Sequence, residues 1–229
     1  MWTIPPALHR GRLTVCIVRT YATPMLIESA PLDPETAYKL LTGIVVPRPI
    51  AWVTTLSDSG VVNLAPFSAF TFVSNSPPMI GISVGRKAGV MKDTGTNILH
   101  SREFVVHIPD TSLLEAVHQS AVEYPAHVSE VAELGLESLP CRHVAPPRLA
   151  AAPVAMECRL HRSEVFGNDG SEFMVGEILA FHVHDHLLVD GKIDTAALQP
   201  ICRLGGPNYA RLGEIVRMIP VAQSRKIVL

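Results

Sequence analysis

The stretch from Pro47 to Asn97 constrains this chain most, because apolar, β-branched runs alternate there with proline and glycine punctuation. Pro47-Arg48-Pro49-Ile50-Ala51-Trp52-Val53-Thr54-Thr55 starts on a proline brace and continues with the composition of a buried strand, expected to end near Leu56. Ser57-Asp58-Ser59-Gly60 are turn residues and Val61-Val62-Asn63 resumes an extended run, so the two segments read as a hairpin. Asn63-Leu64-Ala65-Pro66-Phe67-Ser68 follows as an irregular, proline-held segment, and Met79 to Val84 as a further strand closed by Gly85-Arg86-Lys87. In Lys92-Asp93-Thr94-Gly95-Thr96-Asn97 a cation, hydroxyls and an amide stand where a helix begins, with Asp93 as the expected N-cap.

Taken in order, PRPIAWVTT, NLAPFSAF, SPPMIGISVG, KDTGTNI, ECRL (Glu157 to Leu160) and RLGGPNYARL (Arg203 to Leu212) resemble the flavin reductase-like, FMN-binding split-barrel family. The resemblance runs from Met25 to the C-terminus. It implies a mainly β fold with short helices, a split β-barrel that holds FMN and assembles as a homodimer. The activity implied is NAD(P)H:flavin reduction, with NADH or NADPH as co-substrate and a separate acceptor, such as a monooxygenase, for the electrons. Other members only carry electrons, as flavoredoxins do, and nothing in the sequence marks a nicotinamide pocket that would separate the two.

FMN presents a phosphate dianion, a polyol and a flat ring, and each asks for different residues. For the phosphate, the opening turn of a helix offers free N–H groups and a favourable dipole, supplemented by Lys92, Thr94, Thr96 and Asn97. For the ring, Asn63, Ala65, Pro66, Phe67 and Ser68 offer an apolar slot with hydrogen-bonding groups, and Thr54, Thr55 and Ser83 can reach polar atoms from neighbouring strands. Arg48 and Arg86 are the candidate cofactor cations, the alternative being solvated arginines at strand ends. No catalytic acid, base or nucleophile stands out, and hydride transfer to flavin needs none.

The length of 229 residues fits one domain, and 48% hydrophobic with 17% charged residues suits a sheet protein that also buries a subunit interface. A net charge of −2 gives no field for gathering nucleic acid or an anionic membrane, and no apolar run is long enough to span a bilayer. Cys16, Cys141, Cys158 and Cys202 lie far apart without CxxC spacing, as free thiols in the reducing cytoplasm would. Cys202, next to Arg203-Leu204-Gly205-Gly206, is the one that could lie near the cofactor. Residues 1–24 carry Arg10, Arg12 and Arg19 with no acidic residue and read as a disordered extension or a misassigned start, leaving 25–229 as the flavin reductase-like domain.

Further along, Asp33-Pro34 caps a short helix that Gly43 is expected to end, and Phe104 to Ile108 reads as a strand buried on both faces. Family members often carry asparagine where His107 stands; here it reads as a satisfied core histidine. Asp110 caps a helix with Leu113, Leu114, Val117 and Ala121 on one stripe, and Ser129 to Leu134 forms another, stopped by Gly135. The proline-rich Leu139 to Pro153 wraps the outside of the barrel or the neighbouring subunit, or else is a linker. His182, His184 and His186 alternate, which puts three imidazoles on one strand face: a solvent face, or a zinc or copper site, although the family implies no metal.

Overall fold

A computed structural model of the chain describes residues 25–219; the N-terminal extension lies outside them. The apolar runs become seven strands: β1 (Ala51–Leu56), β2 (Val62–Phe67), β3 (Phe70–Asn75), β4 (Pro78–Val84), β5 (Glu103–Ile108), β6 (Val154–Phe166) and β7 (Ser171–Val183). Between and beside them run short helices α1 (Pro34–Ile44), α2 (Asp93–Ser101), α3 (Leu114–Gln119), α4 (Glu130–Glu133) and α5 (Thr195–Leu198).

All seven strands pair antiparallel, in the order β2-β1-β5-β6-β7-β4-β3. The outermost members, β2 and β3, are separated in the chain only by Ser68 and Ala69. The sheet must therefore curl until its two edges nearly meet, and the Ser83 N–H fastens that corner by donating to Ala69 O at 2.9 Å. No ladder joins β2 to β3. The result is a split barrel, open along that seam.

Alternation along the strands fills the inside with Val53, Phe67, Ile82, Phe104, Met156 and Met174. Ile98 reaches the same core from α2, which therefore stoppers the barrel. On the outer face of β1 and β2, Trp52 and Leu64 are covered by Leu113, Val117, Val131 and Leu149, so β1 is buried on both sides. Each of these large side chains contributes about 1.5–3 kcal/mol by leaving water. Trp52 Nε1 donates to Ser120 Oγ at 2.9 Å, so its buried N–H is satisfied.

Several expectations change. Asn63 to Ser68 is not irregular: Val62–Phe67 is β2, and Pro66 is tolerated because β2 pairs on one side only, with β1. The helix after Asp33 runs through Gly43 to Ile44, since the Val45 N–H still bonds Leu41 O and one interior glycine costs only about 1 kcal/mol. Lys92, not Asp93, is the N-cap of α2; Asp93 is its first residue, and no side chain caps the turn. Ala121 falls beyond α3 and is exposed, so the expected stripe stops at Val117.

Leu139 to Pro153 wraps this chain's own barrel and is not a linker. Pro147 O accepts from Thr54 Oγ1 at 2.6 Å, and the Leu149 N–H donates to His107 Nε2 at 2.9 Å. Because Nε2 accepts there, Nδ1 carries the ring proton and donates it to Trp52 O at 2.8 Å. His107 is thus a fully satisfied core group, and burial pushes its pKa down to about 4.

The three alternating histidines do not share a face. β7 ends at Val183, and His184 starts a 3-10 turn over Asp185–Leu187. His182 Nε2 contacts Glu157 Oε1 at 2.6 Å, whereas His184 and His186 face each other with ring centroids 5.9 Å apart. No cluster of three or more His, Cys, Asp or Glu residues arranged for a metal ion occurs among the described residues. Nor is any helix among them long and apolar enough to cross a membrane.

Candidate functional site

The seam between β2 and β3 opens into a cleft of about 520 Å³, within the roughly 300–1,000 Å³ of small-ligand sites. Its apolar wall is Ile50, Pro66 and Phe67; Ser68 and Ser83 add hydroxyls. Four cations converge on it, Arg48, Arg86, Lys92 and Arg203, against Asp169 as the one carboxylate of the lining. Such an imbalance favours an anionic ligand.

The four cations are not equivalent. Arg48 is largely spent on the protein: Nη1 donates to Thr42 O at 2.7 Å and Val45 O at 2.6 Å, Nη2 to Leu204 O at 2.8 Å, and Nε to Ser68 Oγ at 3.2 Å. It ties the end of α1 and the C-terminal segment to the seam. Arg86 donates to Gly170 O at 3.0 Å and pairs with Glu172 at 3.4 Å. Arg203 lies over the Tyr209 ring, 4.6 Å from its centroid, and donates to Tyr209 Oη at 2.6 Å. Lys92 is exposed, 5.8 Å from the Phe67 ring centroid, and enters none of the ion pairs found among the described residues. Its ammonium is the cation least committed to the protein itself.

Of the residues singled out from the sequence, Arg48, Pro66, Phe67, Ser68, Ser83, Arg86 and Lys92 line the cleft. The others do not. Ala65 packs against the barrel core, and Thr54 faces the outer layer, where it holds Pro147. Thr55, Asn63, Thr94 and Asn97 are bonded to one another beneath the start of α2: Thr94 Oγ1 donates to Asn63 Oδ1 at 2.7 Å and Asn97 Nδ2 to Thr55 Oγ1 at 3.0 Å. Cys202 pairs with Pro49 across a short ladder and stays out of the lining, and burial raises its thiol pKa.

Tyr38, Asp169, Ser171, Arg203 and Tyr209 also line the cleft, and sequence reasoning did not assign them to it. Arg203 arrives by pairing with Arg48, and Asp169 and Ser171 by the β6–β7 turn. Only RLGGPNYARL offered a signal, through the resemblance.

Two buried carboxylates support this architecture from outside the cleft. Burial would raise Glu157, but the N–H groups of Arg142 and His143, with His182, outweigh it and hold the carboxyl below its usual range. Glu130 goes the other way: burial dominates and raises it, despite the Leu64 N–H at 2.8 Å and Asn63 Nδ2 at 3.0 Å.

The donor set fits FMN. A phosphate dianion would find the Lys92 ammonium, Arg86 and the uncapped first turn of α2, and a flat ring would find the Pro66–Phe67 wall with serine hydroxyls beside it.

Residues 43–196 match the flavin reductase like domain. The chain belongs to the flavin reductase-like family. A Halalkalibacterium halodurans relative, an uncharacterized protein, is 44% identical over 188 residues, 80% of this chain and 90% of the relative. Among solved structures, nitrilotriacetate monooxygenase component B from Bacillus cereus is similar with TM-score 0.84 and 38% identity, over 86% of this chain and 100% of that one. The 2-nitrobenzoate 2-nitroreductase NbaA from Pseudomonas fluorescens gives 0.79 and 33%, over 88% and 100%. In this flavin reductase-like protein, the split-barrel seam is thus the place to look for chemistry.

Proposed function

We propose that this protein binds FMN non-covalently in the seam cleft and uses NADH or NADPH to reduce it, passing electrons to a separate acceptor such as a partner monooxygenase. The observation that carries this reading is the convergence of Lys92 and Arg86 on a cleft walled by Pro66 and Phe67. Lys92 and Arg86 would hold the phosphate by charge-assisted hydrogen bonds. Ser68 and Ser83 would orient the ring edge, and Phe67 would keep water from its face. Bound flavin would supply the hydride acceptance and electron transfer, chemistry that no side chain of the cleft can perform. The names of the Bacillus cereus and Pseudomonas fluorescens relatives, a monooxygenase component and a nitroreductase, support a reductive role with an external acceptor.

The test is steady-state oxidation of NADH and of NADPH with and without added FMN. FMN-dependent oxidation of at least one nucleotide is expected. FMN binding without oxidation of either would leave the electron-carrier role instead.

We also propose a homodimer. None of the residues of α1 is buried, although Tyr38, Leu41 and Ile44 are 66%, 61% and 74% exposed, and Phe72 on the edge strand β3 is 76% exposed. Tyr38 belongs to the cleft lining as well, so a second subunit covering α1 would also close the cleft at roughly 25 cal/mol per Å² of apolar surface buried. Sedimentation should then show a dimer that FMN favours and dilution disfavours; a monomer with full FMN affinity would contradict it. The free thiols Cys141, Cys158 and Cys202 suit a reducing compartment, and we place the protein in the cytoplasm.

A further inference from the structure

Beneath the cleft, the polar side chains at the start of α2 form a network whose donors all point one way. Asn97 Nδ2 donates to Thr55 Oγ1 at 3.0 Å, Thr55 Oγ1 to Asn63 Oδ1 at 3.3 Å, and Thr94 Oγ1 to the same oxygen at 2.7 Å. Asn63 Nδ2 then donates to Glu130 Oε1 at 3.0 Å, where the chain of donors ends. The second carboxylate oxygen, Oε2, accepts the Leu64 N–H at 2.8 Å.

Glu130 is held there by the barrel's open edge. Ser129 Oγ donates to Val62 O at 2.6 Å and Glu130 accepts from Leu64, so the start of α4 completes the unpaired edge of β2 much as a neighbouring strand would. An ionised carboxylate can only accept. It therefore fixes the Asn63 amide with its amino group toward Glu130 and its oxygen toward Thr94 and Thr55. Turned over, that amide would set oxygen against oxygen and leave two buried hydroxyls to find new acceptors.

Thr55 and Thr94 are fully buried and absent from the cleft lining, so they cannot hold a ligand there directly. What they can do is place α2. Thr94 and Asn97 anchor its first turn, and Lys92 is the N-cap of that turn, with its carbonyl accepting the Thr96 N–H at 3.0 Å.

We propose that Glu130 is a positioning residue for the cleft: by orienting the Asn63 amide it locks Thr94, and with it the turn that presents Lys92 to an anionic ligand. This rests on the flavin reading of the cleft. It also gives Thr55, Asn63, Thr94 and Asn97 a shared, indirect part in binding.

The test uses the full chain and FMN itself, with affinity read by flavin fluorescence and folding by thermal denaturation. In Glu130→Gln the one remaining oxygen can serve the Leu64 N–H or Asn63 Nδ2 but not both; held by the backbone N–H, it leaves an amino group against the Asn63 amino group, and FMN binding should weaken on the order of tenfold. Adding Asn63→Asp reverses the donor order: the new glutamine donates to the new aspartate, whose other oxygen accepts from Thr94 and Thr55. The double variant should bind FMN about as well as wild type, a pairwise rescue that loss of packing would not produce. Lys92→Ala in parallel should also weaken FMN about tenfold.

Wild-type affinity in Glu130→Gln alongside weakened binding in Lys92→Ala would overturn the positioning role and leave the cleft reading intact. Full affinity in Lys92→Ala would remove the cleft reading and the proposal together. If Glu130→Gln does not fold, the double variant decides alone: folded with wild-type affinity it supports the proposal, folded with weak affinity it overturns it.

Discussion

Lys92 and Thr94 are two residues apart and belong to opposite kinds of protein. Lys92 is exposed at the cleft with an ammonium that joins no ion pair among the described residues, whereas Thr94 is fully buried with its hydroxyl committed to Asn63 at 2.7 Å. The same division runs through the whole site. Lys92 faces the cleft uncommitted, while Thr55, Asn63, Asn97 and Glu130 are satisfied by one another. One short motif thus both lines the cleft and builds the platform beneath it. The two roles separate by measurement, since substitutions in the platform should change stability together with affinity and substitutions in the cleft affinity alone.

The largest effect is expected on the buried side. Asn63→Ala leaves the Glu130 carboxylate without its side-chain donor and the Thr94 hydroxyl without its acceptor, and should cost about 3 kcal/mol in urea unfolding. A loss under about 0.5 kcal/mol would show that the network contributes no more than an ordinary surface contact.

His107 belongs to the same buried side and makes it sensitive to acid. Its folded pKa of about 4 lies below the ordinary value of about 6.5, so the unfolded chain takes up the proton first. The stability it contributes is present above about pH 6.5 and lost as pH falls toward 4, by about 3 kcal/mol in all. Glu130, raised by burial, pushes in the opposite sense, and Glu157, lowered by its donors, in the same one. The His107 share is therefore read as a steeper stability slope between pH 7 and 4.5 in wild type than in His107→Gln; equal slopes would assign the acid sensitivity elsewhere.

The smallest effect is expected where neither role applies. Lys39 pairs with Glu35 across one turn of α1, both largely exposed, and Lys39→Ala should change stability by no more than about 0.5 kcal/mol and leave FMN affinity alone. A tenfold affinity loss there would extend the ligand site along α1.

The sequence made the barrel legible wherever the signal was local. β1 and β5 announce themselves as apolar, β-branched runs, and Asp33 and Asp194 cap the helices they precede by accepting backbone N–H groups. β3 has strand formers in Phe70-Thr71-Phe72-Val73, but as an edge strand with no fully buried residue it shows no alternation between a buried and an exposed face to set its bounds. Pro66 argued against a strand because its tolerance depends on β2 being an edge, a fact of topology.

Asp93 looked like a cap by residue type, yet Lys92 takes the extended cap conformation, and the Thr94 bond to Asn63 ties the turn that follows to β2. The cleft itself was half legible. Phe67, Ser68 and Lys92 stand in short motifs, whereas Tyr38, Arg203 and Tyr209 reach it through the pairing of Arg48 with Arg203 and the packing of α1, which no spacing encodes.

We propose the seam cleft as the flavin site, with Lys92 as its free cation. Titration of FMN into wild type and Lys92→Ala, each checked for thermal stability, tests it most directly. The expected result is an affinity loss of about 1–3 kcal/mol with stability changed by less than about 0.5 kcal/mol. Equal FMN affinity in the two folded proteins would contradict the claim.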